Sequence, residues 1–217
     1  MNCSKRLSAL AIAFSLVTSY LSASSEPVRG RRGMVASQKM LASEAGLSVL
    51  KDGGSAVDAA VATGLALAVT LPRAGNIGGG GFMVFRAANG DAITYDFREQ
   101  APAAATAEMF TKDGEYSWDL HHASGRAVGI PGTVAGFYLA WQEHGKLPWR
   151  RLVAPAIGLA RDGIVVTDDM ERSLINMRSS WKGHAGTLAQ FTKNGEPYRA
   201  GDIIKQPYLA DALERIA

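Results

Sequence analysis

The sequence predicts an α/β domain, and three observations support this interpretation. Its 217 residues are 47% hydrophobic and 20% charged, a composition typical of globular proteins and not of disordered or fibrous ones. Several segments have helical patterning with recognisable start and stop residues. Between them, a glycine run leads into two short runs of strand-forming residues joined by Asn89-Gly90, a strong hairpin signal.

The first 25 residues have the layout of a secretory signal peptide. Lys5 and Arg6 precede an apolar run that ends at about Leu21, and small residues follow it. This run is shorter than the ~20 apolar residues that a membrane span requires. We therefore predict cleavage near Ala23–Ser25, export to the periplasm or the exterior, and an N-terminal tail over residues 26–33.

Loss of this leader changes two properties of the chain. The formal net charge falls from +3 to about +1 because Lys5 and Arg6 are removed, so the basic isoelectric point does not indicate nucleic-acid binding. Cys3, the only cysteine, is removed as well. The mature chain therefore has no disulfide, no thiol nucleophile and no cysteine metal site.

Two helices are predicted first, after a short extended start. One covers Gln38–Lys51 and ends at the glycine pair that begins with Gly53. The other covers Ala56–Leu71, where Ser55 and Asp58 have the spacing of a capping box. This second helix is apolar on every side, which predicts a helix buried in the core.

A β-hairpin is predicted next. The glycine run Gly78–Gly81 leads into a strand over Phe82–Phe85, and Asn89-Gly90 predicts a type I′ turn. The return strand covers Ala92–Phe97. Because side chains alternate along a strand, Arg98 is expected at its end, on the more polar face.

Four further helices complete the prediction. They cover Val134–His144 and Trp149–Arg161, a segment capped by Thr167, and a final segment that starts at Pro207. The last helix stops at Ala217 in the middle of its apolar stripe, which we interpret as the truncation of a longer protein.

The glycine run does not have the pattern of a nucleotide site. A phosphate-binding loop requires Lys and Ser or Thr after the glycines and a helix behind them, whereas Phe82 and Met83 follow here in a strand. The run is therefore expected to serve the backbone, through tight packing or a close approach of substrate.

Among the charged residues, Arg98 is the candidate binding residue. A guanidinium group is suited to bidentate binding of a carboxylate. The pattern alone also permits a surface ion pair with Asp96 or Glu99.

The histidines do not predict a metal site. His121 and His122 are adjacent, so their side chains are expected to point apart in a loop, and no Cys, Asp or Glu pattern completes a ligand set. A Ser-His-Asp triad is not excluded by counting residues, but no Gly-x-Ser-x-Gly motif occurs. The residues taken alone therefore identify no reaction.

Several motifs resemble the gamma-glutamyltranspeptidase family, and the resemblance begins at about Gly33 and continues to the end of the chain. They occur in the family's order and spacing and are similar to its exported bacterial members. They are Met34–Ser37, Leu41–Gly46, Gly53–Ala62, Gly78–Met83, Asp96–Pro102, Gly129–Gly136 and Leu159–Gly163.

This resemblance implies a fold and a reaction. The fold is an αββα sandwich of the N-terminal nucleophile hydrolase type, of which residues 34–217 would be the N-terminal portion of the large subunit. A precursor cuts itself into two subunits, and the new N-terminal threonine of the small subunit attacks gamma-glutamyl amides such as glutathione. Water, an amino acid or a peptide then accepts the gamma-glutamyl group. No cofactor or metal is expected.

The resemblance also assigns roles to two residues. Arg98 matches the family arginine that binds the α-carboxylate of the gamma-glutamyl group, and Glu99 matches a neighbouring acid for which we expect a supporting role. The threonine nucleophile is expected beyond Ala217, so we expect the 217-residue chain to be inactive without the small subunit. Two alternatives are a cephalosporin or glutaryl acylase on the same scaffold and a degenerate, non-catalytic fragment.

Overall fold

The computed structural model describes residues 27–181 and 183–217, so the predicted signal peptide over residues 1–25 lies outside the described residues. The chain divides into two units after Met34. Residues 27–34 are solvent-exposed and form neither helix nor strand. Val35–Ala217 form the second, compact unit, which contains every element described below.

Helices account for most of the regular structure. They are α1 (Met40–Lys51), α2 (Ala56–Thr70), α3 (Trp118–His122), α4 (Thr133–His144), α5 (Trp149–Asp162), α6 (Asp168–Met177), α7 (Ala185–Phe191) and α8 (Pro207–Ile216). Short 3-10 segments cover Gly125–Ala127 and Arg178–Trp181.

The strands form two-stranded antiparallel sheets, which together with the helices confirm the α/β class. The strands are β1 (Phe82–Arg86), β2 (Ala92–Asp96), β3 (Thr111–Lys112), β4 (Glu115–Tyr116), β5 (Ile164–Val165), β6 (Thr192–Lys193), β7 (Glu196–Pro197) and β8 (Ile203–Ile204). The pairs are β1–β2, β3–β4, β5–β8 and β6–β7.

Helix α2 is the centre of the core, as its apolar composition predicts. It packs against α1, α4 and α5, and its side chains Val57, Val61, Leu65 and Val69 are almost completely buried. Small residues on the remaining faces let the neighbouring helices approach closely. Burial on several sides explains why the helix has no polar face.

The predicted capping box at the start of α2 is confirmed. The Asp58 backbone amide donates to Ser55 Oγ at 3.1 Å, and the Ser55 amide donates to Asp58 Oδ2 at 2.8 Å. The Asp58 carboxylate also accepts from the amides of Lys146 and Leu147, at 2.9 and 3.3 Å. Asp58 is fully buried, so this one oxygen fixes the loop after α4 against the start of α2.

The β1–β2 hairpin is confirmed, but the predicted type I′ turn is wrong. The Gly90 amide donates to the Ala87 carbonyl at 3.0 Å, and only Gly90, at φ +99°, has a positive φ in this turn. The turn is therefore of type I with a glycine bulge. The reason is local: Asn89 Oδ1 accepts from the Asp91 amide at 3.1 Å, a side-chain turn that replaces the left-handed conformation at Asn89.

The other predicted helices form with ends shifted by one or two residues. The first begins at Met40 rather than Gln38, because Lys39 has an extended backbone. The helix capped by Thr167 is α6, where Thr167 Oγ1 accepts from the Met170 amide at 3.3 Å. Within the described part of the chain, no helix has the length and hydrophobicity needed to cross a membrane.

Candidate functional site

Arg98 and Glu99 lie in a corner between the glycine run and the segment that enters α4. Gly81 and Phe97 exchange backbone hydrogen bonds of 3.3 and 3.0 Å. Gln100 and Ile130 exchange another pair, of 3.2 and 2.8 Å. The chain that carries Arg98 is thus held by backbone contacts on both sides, which fixes where its side chain emerges.

Glycines make this close approach possible. A Cβ atom at Gly80 would lie 2.6 Å from the Phe97 carbonyl oxygen and 2.8 Å from Arg98 Cα. A Cβ atom at Gly132 would clash with the same carbonyl group, and one at Gly136 would clash with the Phe97 ring. The predicted backbone role of the glycine run is confirmed, and it is tight packing around residues 97 and 98.

Asn76 and Thr133 join the glycine run to α4. Asn76 Oδ1 accepts from the Gly79 amide and from Thr133 Oγ1, both at 2.8 Å. The Gly79 carbonyl oxygen accepts from the amides of Gly132 and Thr133, at 2.8 and 3.0 Å. Because the buried Thr133 hydroxyl donates within this network, it is a structural group. This pair was not predicted from the sequence, although an Asn before a glycine run and a Thr at a helix start are recognisable turn and cap residues.

The Arg98 side chain reaches solvent with its outer guanidinium nitrogens available. Its Nε donates to Glu99 Oε2 at 3.2 Å, and its Cζ lies 5.8 Å from the centroid of the Phe82 ring. Among the described residues, neither Nη atom donates a hydrogen bond to the protein, and 64% of the side chain is exposed. The two Nη atoms form the fork that binds a carboxylate with two parallel hydrogen bonds.

Glu99 contacts the Arg98 guanidinium at Nε. Its own backbone amide lowers the pKa of the carboxyl most, followed by the Arg98 guanidinium, with a further contribution from the Gly80 amide. The carboxylate therefore stays ionised and keeps its contact with Nε. The sequence left two alternatives for Arg98, an ion pair with a neighbouring acid or binding of a carboxylate. The two are compatible, because the ion pair with Glu99 uses Nε and a carboxylate would use the two Nη atoms.

The predicted loop position of His121 and His122, with side chains that point apart, is wrong. His121 and His122 lie in α3 rather than in a loop, and their rings are 4.3 Å apart between centroids instead of pointing apart. The reason is that His121 Nδ1 and His122 Nε2 both contact the Tyr116 hydroxyl group. Over residues 27–181 and 183–217, no cluster of three His, Cys, Asp or Glu residues is placed to hold a metal ion.

Comparison with known proteins places most of this chain in one family. A family model described as gamma-glutamyltranspeptidase matches residues 42–217. A glutathione hydrolase proenzyme of Escherichia coli is 49% identical over 193 residues, which cover 88% of this chain and 33% of that protein. A glutathione hydrolase proenzyme of a Pseudomonas species is 42% identical and aligns with 99% of this chain and 37% of its own length. The chain thus spans about a third of the length of these relatives.

Solved structures agree with the sequence comparison. The gamma-glutamyltranspeptidase of Helicobacter pylori superposes with a TM-score of 0.84 and 40% identity, over 88% of this chain and 55% of that one. A cephalosporin acylase from Bacillus halodurans superposes with a TM-score of 0.72 and 25% identity, over 90% of this chain and 39% of that one. The acylase is therefore the more distant of these two relatives.

Proposed function

Because this chain belongs to the gamma-glutamyltranspeptidase family, we propose that it supplies the substrate-carboxylate site of an enzyme that cleaves gamma-glutamyl amides. Its α/β fold is part of the αββα sandwich of N-terminal nucleophile hydrolases, to which these residues contribute helices and short hairpins. The substrates we propose are glutathione and other gamma-glutamyl compounds, with water, amino acids or peptides as acceptors.

The single observation that carries this proposal is the free guanidinium fork of Arg98. A gamma-glutamyl group has an α-carboxylate at the end remote from its reacting amide. With Nε engaged by Glu99 and 64% of the Arg98 side chain exposed, both Nη atoms are available to bind that carboxylate. Binding there would fix one end of the substrate and leave the amide carbonyl free to meet a nucleophile.

The nucleophile is proposed to come from outside these 217 residues. The family resemblance implies a threonine that is exposed when a proenzyme cleaves itself, and two of the relatives named above are called proenzymes. Its hydroxyl, activated by its own amino group, would attack the gamma-glutamyl carbonyl and release the amine. Water or an acceptor amine would then attack the gamma-glutamyl ester and regenerate the threonine.

Export is part of the proposal. The basic start, apolar run and small residues of positions 1–25 support removal as a signal peptide, after which residues 34–217 would be the N-terminal portion of the large subunit. The acylase alternative has less support, because the acylase structure is 25% identical to this chain whereas the E. coli glutathione hydrolase proenzyme is 49% identical.

Release of a chromogenic aniline tests the proposal. Two forms are compared: the 217-residue chain alone, and the same chain continued to the length of the relatives with its own small subunit. We expect the longer form to cleave gamma-glutamyl anilide and to prefer it over glutaryl anilide, which lacks the α-amino group. The chain alone should be inactive.

Preference for glutaryl anilide in the longer form would support the acylase. Failure of a folded and self-cleaved longer form to use either substrate would contradict the proposed function.

A further inference from the structure

A group of aromatic and histidine side chains lies outside the Arg98 corner, and the proposed reaction does not use it. Here it is called the His–Tyr cluster: Phe110, Tyr116, Trp118, His121 and His122. It is built by the β3–β4 hairpin and the short helix α3 that follows it. We propose that His121, His122 and Tyr116 form a surface site for a copper(II) ion.

The first argument is that one nitrogen from each imidazole ring converges on the Tyr116 hydroxyl oxygen. His121 Nδ1 lies 2.9 Å from the Tyr116 hydroxyl oxygen, and His122 Nε2 lies 3.2 Å from it. Two donors that are each about 2.0–2.1 Å from one metal ion are about 2.9 Å apart at a right angle and about 3.3 Å apart at a tetrahedral angle. Both separations fall in this range, so the Tyr116 oxygen is spaced to share a metal ion with each imidazole nitrogen after movements of the three side chains.

The second argument is that packing holds the two imidazole rings in place. Phe110 stacks on His121 with 4.4 Å between ring centroids, and Trp118 lies against His122 at 4.8 Å. The Tyr116 ring meets His121 edge-on at 5.8 Å. Binding would therefore cost little side-chain entropy, which is the main cost of assembling a site from mobile surface residues.

The backbone under the cluster is also fixed. Ser117 caps α3, its side chain accepting from the Leu120 amide at 3.4 Å, and its carbonyl oxygen accepts from the His121 amide at 3.1 Å. The Ser117 amide donates to the Phe110 carbonyl at 2.8 Å. The hairpin and the helix thus move together, and the spacing of the three donors is kept.

The donor types select the metal. Neutral imidazole nitrogens and a phenolate oxygen suit copper(II), which prefers right-angled nitrogen and oxygen ligands and heads the divalent stability order. On binding, Tyr116 loses its phenolic proton to solvent and becomes the anionic ligand. Tyr116 is 59% exposed, so water would have access to a metal ion bound there. The third donor is a phenol, which is why a pattern of His, Cys, Asp and Glu does not reveal the site.

Titration with copper(II), in a buffer with a competing chelator, tests the proposal on the protein without a polyhistidine tag. We expect one tightly bound equivalent and a visible phenolate-to-copper charge-transfer band. His121→Ala and His122→Ala each remove a ligand and should each weaken binding by more than the about tenfold loss that follows removal of a group that only supports a ligand. Tyr116→Phe keeps the ring and its packing and should abolish the band. His184→Ala, which changes an exposed histidine outside the cluster, should match the wild type.

A second measurement uses the wild type alone, in case a variant fails to fold. Paramagnetic broadening of nuclear magnetic resonance signals by substoichiometric copper(II) should be confined to the region of residues 110–122. Broadening centred elsewhere, an unchanged affinity in the His121→Ala/His122→Ala double variant, or a band that persists in Tyr116→Phe would each overturn the proposal.

Discussion

Tyr95 in β2 donates a hydrogen bond to the Glu143 carboxylate in α4 and thereby joins the hairpin that ends near Arg98 to the helix behind it. The Tyr95 side chain is buried, whereas 43% of the Glu143 side chain is exposed. The His144 ring completes the contact, lying 6.2 Å from the Tyr95 ring and 4.3 Å from the Phe85 ring between centroids. The two strands and the helix are therefore fixed as one unit.

We predict that Tyr95→Phe lowers the free energy of unfolding by about 1 kcal/mol at neutral pH, the net contribution of one hydrogen bond. Burial and the Glu143 carboxylate raise the pKa of Tyr95 from 10.0 to about 12. Between pH 10 and pH 12, the folded protein therefore keeps the Tyr95 proton, whereas the unfolded chain releases it. Wild-type stability should therefore fall as pH rises from 10 to 12.

Denaturant unfolding across this pH range is the measurement. The stability advantage of wild type over Tyr95→Phe should shrink and then reverse as pH rises, because ionising a tyrosine whose pKa is raised to about 12 costs more than its hydrogen bond contributes. The matched control is Tyr208→Phe, because Tyr208 is 83% exposed. A difference that is constant with pH would contradict the raised pKa.

The buried Asp58 carboxylate gives a second prediction. Asp58→Ala removes the acceptor for the amides of Ser55, Lys146 and Leu147, and we expect it to cost about 3 kcal/mol. Ser55→Ala removes the cap alone and should cost about 1 kcal/mol. Urea unfolding of the two variants measures the difference. Equal losses would show that the contacts to residues 146 and 147 contribute nothing.

Gly136 gives a third prediction, which links packing to binding. A Cβ atom there meets the Phe97 ring, one residue before Arg98, so Gly136→Ala should destabilise the protein and raise the KM for gamma-glutamyl anilide in the active, longer form. Gly158→Ala is the control in another helix. A Cβ atom at Gly158 comes only within 4.0 Å of the flexible Asp162 side chain, so this change should stabilise by about 0.5–1 kcal/mol. Equal effects of the two changes on thermal unfolding would contradict the close contact.

Glu99 gives a fourth prediction. Glu99→Gln keeps the shape of the side chain and removes the charge that holds Arg98 Nε, so the fork should be less well oriented. We expect KM for gamma-glutamyl anilide to rise roughly threefold with little change in kcat, in keeping with an exposed ion pair. Glu108→Gln, an exposed glutamate elsewhere, is the control. A fall in kcat at unchanged KM would refute an orienting role.

Local patterns predicted the elements well, whereas contacts between distant residues were not predictable. The capping box of Ser55 and Asp58 depends on residues three apart and was confirmed. The contacts of Asp58 with residues 146 and 147 link segments 88 and 89 residues apart, and no short pattern encodes them. The type I′ turn failed for a local reason, because the Asn89 side chain stabilises a different turn.

The candidate site was also predictable only where it depends on residues that are close in sequence. Alternation along β2 placed Arg98 at the strand end, and its neighbour Glu99 lies close in sequence. The Asn76–Thr133 contact spans 57 residues and required the structure. The convergence of His121 and His122 on Tyr116 was not predicted, because the side chains of adjacent residues were expected to diverge. In the structure, Phe110 packs on the His121 ring and Trp118 packs on the His122 ring.

The most direct test of the account removes the carboxylate from the substrate and the fork from the protein. In the active, longer form, kcat/KM is measured for gamma-glutamyl anilide and for 4-aminobutanoyl anilide, which lacks only the α-carboxylate. We predict that Arg98→Ala lowers kcat/KM for the first substrate by about 10- to 100-fold, the range for a hydrogen bond to a charged group, and leaves the second nearly unchanged. Arg86→Ala, at the other end of the hairpin, should change neither. An equal loss on both substrates would contradict the assignment of Arg98 to the substrate carboxylate.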